Sequence, residues 1–137
     1  MNTTKIKLIS FDLWETLISD DNQRKRNELR IKNLKSLFET YSCNITEKKL
    51  LDSLLFISKT CTQNHNCGID KPSIYRIKEL LRYLNVNLND QNFEMKILSI
   101  LDKSFIKFPP SIFPFTIKIL DTLRKNYLLC LTSNTGI

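Results

Sequence analysis

The sequence predicts an α/β fold with a helical insertion, and three observations predict it. Residues 5 to 11 form an apolar run that stops at a carboxylate. A second apolar run, Tyr127-Leu128-Leu129-Cys130-Leu131, follows a double proline and one helical segment. Before the double proline lie four further stretches with apolar residues at helical spacing, more chain than one strand-to-strand crossover needs. Periodicity alone gives strand, helices, strand; the surplus helices predict a separate lobe inserted after the first strand.

Each element has its own signal. Ile6, Leu8, Ile9 and Phe11 make residues 5 to 11 a buried parallel strand. Residues 12 to 21 read as a loop, and Asp20-Asp21-Asn22 suits a helix cap. The first helix runs to about Tyr41, with Leu34, Leu37, Phe38 and Tyr41 at helical spacing. Asn44 to Thr46 break and cap, and the second helix continues to about Thr62 with Leu50, Leu54, Ile57 and Cys61 on one face. Gln63 to Lys71 is a polar loop, and Pro72 suits the first turn of a third helix faced by Ile74, Ile77, Leu81 and Leu84. After the loop Asn85 to Asn89, Asp90 can cap a fourth helix carrying Phe93, Ile97, Ile100, Leu101 and Phe105. Pro109-Pro110 end it. Phe113 to Asn126 reads as a helix with Ile117, Leu120 and Leu123 facing inward, and 127 to 131 as a second buried strand. The expected domains are a core of residues 1–21 and 108–137 and a helical lobe of residues 22–107.

Composition removes several function classes. A chain of 137 residues with 42% hydrophobic content suits one domain, or part of a larger one, with a real core. Its two glycines, Gly68 and Gly136, leave no GxGxxG and no GxxxxGK[ST], which argues against a dinucleotide site or a P-loop. The net charge is +7, with Arg24, Lys25, Arg26, Arg30, Lys32 and Lys35 clustered in the first helix. No aromatic residues interleave with them as a nucleic-acid stacking surface needs, so the cluster reads as a solvated face. No segment is apolar enough to span a membrane, and Lys5 and Lys7 interrupt any signal-peptide core. The expected location is cytoplasmic, with the four cysteines as free thiols.

The run Leu8-Ile9-Ser10-Phe11-Asp12-Leu13-Trp14-Glu15-Thr16-Leu17 places a lone carboxylate just past a strand. Open α/β folds put their ligands at that carboxyl edge. The run resembles the first motif of the haloacid dehalogenase-like (HAD) hydrolases, an apolar strand followed by Asp-x-Asp-x-Thr. Asp12 matches the nucleophile and Thr16 the final Thr, while Trp14 stands where the family's phosphatases carry their second Asp. Leu128-Leu129-Cys130-Leu131-Thr132-Ser133-Asn134 resembles the second motif, an apolar strand ending in Ser or Thr, often followed by Asn. Ser133 is the best match and Thr132 a one-residue alternative.

The resemblance implies a HAD-like Rossmannoid core with an inserted α-helical cap, of which this chain carries only core strands 1 and 2. It implies Asp12 as catalytic nucleophile, and Thr16, Ser133 and Asn134 on the substrate. It also implies Mg²⁺ held by Asp12 and the Trp14 backbone carbonyl in a phosphatase of small phosphorylated metabolites. Trp14 cannot serve as the family's acid/base, because an indole N–H does not usefully titrate. Glu15 is adjacent, but successive residues in an extended segment point apart. The family's dehalogenases carry Tyr at this position, so carbon–halogen hydrolysis without metal is the alternative. Arg24, Arg26 and Arg30 are not anchored to a matching substrate site.

The family's third motif, a Lys, and fourth motif, acidic metal ligands, have no match here. Two parallel strands do not make a stable sheet alone. The expectation is therefore a partial core: a truncated gene product or fragment, or a chain whose missing half is supplied by another chain or whose open edge pairs in a homodimer. The remaining alternative is a non-catalytic remnant whose helical lobe docks a partner. Cys61, His65 and Cys67 offer three zinc-ligand types, but Cys-x3-His-x-Cys is not a common zinc spacing. Cys61 reads instead as part of a helix face and Gly68 as a turn residue.

Overall fold

A computed structural model of the protein describes residues 6–69, 71–88 and 90–133. It is a mixed α/β structure, rich in helix, with a small parallel sheet. The order is β1 (Leu8–Phe11), β2 (Ile18–Ser19), α1 (Gln23–Thr40), α2 (Glu47–Asn66), α3 (Ser73–Leu84), α4 (Gln91–Lys107), β3 (Ser111–Ile112), α5 (Thr116–Leu123) and β4 (Leu128–Leu131). The chain divides into two compact units. Gln23–Phe108 forms a helical unit, and the residues up to Asn22 join those from Pro109 onward in a sheet unit.

In the helical unit α1 packs against α2 and α4, and α3 packs against the same two helices. The ring encloses one apolar core that includes Leu34, Phe38, Leu50, Leu80, Phe93 and Ile97. Phe93 meets Phe38 edge-on at 5.4 Å between ring centroids and Tyr41 at 4.4 Å. Thr46 caps α2 by accepting from the Lys49 N–H, and Asp90 caps α4 by accepting from the Asn92 N–H.

Three helices end in the same way. After α1, α2 and α3 comes a left-handed residue: Ser42 (φ 57°), Gly68 (φ 71°) and Asn85 (φ 57°). In each case the next amide reaches five residues back: Cys43 to Phe38, Ile69 to Asn64 and Val86 to Leu81, all at 2.9 Å. These are Schellman closures, which satisfy carbonyls orphaned by the helix end. The closure at Gly68 explains why α2 reaches Asn66, past the loop expected from Gln63.

The basic face of α1 also differs from expectation. Arg26 is 1% exposed; its Nη1 donates to the Phe108 carbonyl at 2.8 Å and its guanidinium lies 4.3 Å from the Phe105 ring. Arg30 Nε donates to Ser104 Oγ at 2.7 Å. Two of the six cations thus tie α1 to the end of α4, and the solvated face is left to Arg24, Lys25 and Lys32, with Lys35 half-buried.

In the sheet unit β1 and β4 pair in parallel, with Leu8 opposite Leu128 and Phe11 opposite Leu131. The strand positions agree with the sequence reading, but the burial does not. Leu8 is 54% exposed and Leu128 70%. β2 and β3 form an antiparallel pair, Ile18 with Ile112 and Ser19 with Ser111, that the periodicity did not reveal. Two residues per strand are too few to print a period of two. The chain leaves the sheet unit through β2 and returns through β3. The Leu17 carbonyl joins that pair to the start of α5, accepting from the Phe113 N–H and from Thr116 Oγ1. α5 is shorter than the expected Phe113–Asn126 helix, and Ile117 faces solvent, not inward. Among the described residues, no helix is long and apolar enough to cross a membrane.

Candidate active site

β1 delivers Asp12 to the carboxyl end of the parallel pair, and β4 delivers Thr132 beside it. Phe11 and Leu131 are register partners, so the residues that follow them are neighbours. The Thr132 N–H extends the ladder by one bond, donating to the Phe11 carbonyl at 2.8 Å. Asp12 is exposed, and its Oδ1 accepts from the Leu13 N–H at 2.7 Å. That bond holds one carboxylate oxygen against its own backbone and fixes the side chain's direction.

The hydroxyl of Thr132 turns back over the strands. It lies 3.2 Å from the Phe11 carbonyl and 2.9 Å from Ser10 Oγ. Ser10 and Thr132 share one face of the sheet, as the period of two demands. Ser133, one residue on, is exposed at the strand end. Of the two hydroxyls weighed in the sequence, Thr132 is bound into the sheet and Ser133 lies beyond it. The sequence reading missed Ser10, whose signal was its place two residues before Asp12. Asn134 lies outside the described residues.

The segment after Asp12 is a tight turn, not an open loop. The Leu13 carbonyl accepts from the Leu17 and Ile18 N–H groups, and the Glu15 N–H donates to the Ile18 carbonyl at 2.8 Å. Trp14 bridges to Ile18, and Glu15 takes φ 54°, a left-handed conformation uncommon for side-chain-bearing residues. Thr16 is exposed on this turn. The structure thus brings Asp12, Thr132 and Ser133 to one strand end, with Trp14 and Thr16 on the turn leading away. A depression of about 420 Å³ involving Lys7, Arg124 and Tyr127 lies at the opposite, amino ends of the two strands.

As a donor set for a cation, the site offers one exposed carboxylate and a backbone carbonyl two residues later. That fits the lower end of what Mg²⁺ uses, one or two carboxylates with water and substrate oxygens completing the shell. Among the described residues, no group of three His, Cys, Asp or Glu side chains could hold a metal ion. Cys61 and His65 are one helical turn apart on α2, with Cys67 just past its end.

No protein-family model and no curated protein matches the sequence. Among solved structures, the chain is similar to YfnB of Bacillus subtilis, a protein described as a HAD-hydrolase and crystallised with magnesium. The identity is 15%, the TM-score 0.51, and the match covers 96% of this chain and 54% of that one. The likeness shows a HAD-like fold. The chain spans about half the length of that structure.

Proposed function

We propose that the chain carries the nucleophile end of a HAD-like hydrolase, a Mg²⁺-dependent phosphatase acting on a small phosphorylated metabolite. The carrying observation is Asp12 beside Thr132 and Ser133 at the carboxyl end of a parallel strand pair. Asp12 attacks phosphorus through a carboxylate oxygen; the bond from phosphorus to the leaving oxygen breaks, that oxygen takes a proton from solvent water and departs as the alcohol, and an aspartyl phosphate forms. Water then hydrolyses the acyl phosphate and restores the carboxylate. The Leu13 N–H, fixed on Oδ1, steers the attacking lone pairs. The Ser133 hydroxyl donates to a phosphoryl oxygen as charge builds there. Asp12 and the Trp14 carbonyl are the groups that would hold Mg²⁺, which supplies charge neutralisation at the phosphoryl oxygens. The YfnB structure, which contains magnesium, supports that choice of ion.

Trp14 supports a second reading. With no titrating group two residues after the nucleophile, the site favours leaving groups that depart without a proton. Halide is one, and attack of Asp12 on the halogen-bearing carbon of a 2-haloacid would need no metal.

The test is release of nitrophenol from an aryl phosphate with Mg²⁺, on this chain and on any polypeptide that extends it in frame. Turnover that disappears in Asp12→Asn, and falls about 10²-fold in Ser133→Ala, is the expected result. Halide release from 2-chloropropionate without metal, and no phosphate release, selects the second reading. No turnover on either substrate rejects both.

A further inference from the structure

We propose that Ser10 and Thr132 are positioning residues that clamp the peptide carrying Asp12. Ser10 brings the one hydroxyl found in β1 or β4. Its Oγ lies 2.9 Å from Thr132 Oγ1, and Thr132 Oγ1 donates to the Phe11 carbonyl at 3.2 Å. A hydroxyl has one proton and two lone pairs. With the Thr132 proton on that carbonyl, Thr132 Oγ1 accepts from Ser10. The bonds then run in one direction, from Ser10 to Thr132 to Phe11, and in such a chain each bond polarises the next.

The Phe11 carbonyl thus takes two hydrogen bonds from one residue, the other coming from the Thr132 N–H at 2.8 Å. That carbonyl shares a planar peptide unit with the Asp12 N and Cα. Pinning its oxygen therefore sets where the Asp12 Cα sits and in which direction the side chain leaves the backbone. On the far side, the Leu13 N–H holds Asp12 Oδ1 at 2.7 Å. Local bonds must supply this placement, because no apolar side chain of the sheet unit is buried among the described residues. Ser10 acts through Thr132, by keeping its hydroxyl turned back over the strands. The catalytic value of the clamp rests on the reading of Asp12 as nucleophile; its geometry does not.

Two measurements test it, and the first needs no turnover. By nuclear magnetic resonance, the Hα–Hβ coupling of Thr132 is expected to report a single rotamer that becomes averaged in Ser10→Ala. Exchange of the Leu13 amide with water should be about fivefold faster in Ser10→Ala and in Thr132→Val. Thr132→Ser should restore it, and the double variant should go no further than Thr132→Val alone. Both hydroxyls are exposed, so the thermal transition should not move in either single variant. Cys130→Ala, opposite Ser10 in the register, is the control and should change neither signal. The second measurement is aryl phosphate turnover with Mg²⁺. In Thr132→Val kcat should fall about 10-fold with KM unchanged, less than the loss of about 10²-fold that a displacement of about 1 Å can cause, and Thr132→Ser should recover it. An averaged Thr132 coupling already in the parent chain overturns the clamp. So does unchanged Leu13 exchange in Thr132→Val, an equal effect in Cys130→Ala, or turnover that Thr132→Val leaves intact. Faster Leu13 exchange in the variants, with no turnover in any form, upholds the clamp and rejects the phosphatase reading.

Discussion

Ten apolar side chains are buried in the described protein, and all ten lie in the helical unit, between Leu34 and Ile97. In the sheet unit the one buried residue among those described is Thr116, held by its bond to the Leu17 carbonyl. One sequence has thus produced two regions with opposite solutions. Amphipathic helices close on one another, because four stripes meet in a ring and bury each other. Two parallel strands cannot do this, since each face needs a layer that the strands themselves do not provide. The buried apolar core belongs to the helical unit, and the candidate site residues belong to the unit with the least burial of its own.

The sharpest way to break that comparison is to empty the helical core. Phe93→Ala removes a fully buried ring that touches both Phe38 and Tyr41. It should cost about 3–5 kcal/mol and lower the cooperative thermal transition followed by circular dichroism. A melt unchanged by this substitution would mean that the core described here does not hold the protein together.

Next in size is Arg26→Leu. The guanidinium is buried, donates to the Phe108 carbonyl and stacks on Phe105. Removing it should cost about 2 kcal/mol by denaturant unfolding, since a charged donor is lost and a part-buried carbonyl loses its bond to Arg26. Arg24→Ala is the control: that side chain is almost fully exposed in its pair with Glu28 and should cost nothing measurable. Smaller again is Asp90→Ala, which deletes the cap of α4 and should cost about 1 kcal/mol in the same experiment.

These same residues show how far the fold was legible. Phe93, Ile97 and Asp90 announced themselves because helical period and capping chemistry are local signals. Arg26 did not: its partner, the Phe108 carbonyl, is 82 residues away, and sequence charge carries no mark of burial. Gly68 carries the signal for the end of α2, a glycine just past a periodic stretch, but the polar run Gln63 to Asn66 before it has no apolar residue to mark a helical face. The pair β2–β3 was illegible because its strands have two residues each. Asp12 and the end of β4 were legible as strand-end residues. The back-turned hydroxyl of Thr132 was not, because it depends on the register between two strands far apart in sequence.

The smallest expected effect separates the two regions most cleanly. Leu50→Ser and Leu128→Ser exchange the same atoms, yet Leu50 is fully buried and Leu128 is 70% exposed. The first should cost several kcal/mol, with a cavity and an unpaired hydroxyl in the core. The second should stay within about 0.5 kcal/mol, because water already covers the side chain. If Leu128→Ser in the isolated chain cost as much as Leu50→Ser, the sheet would be self-sufficient and the contrast between the units would fail.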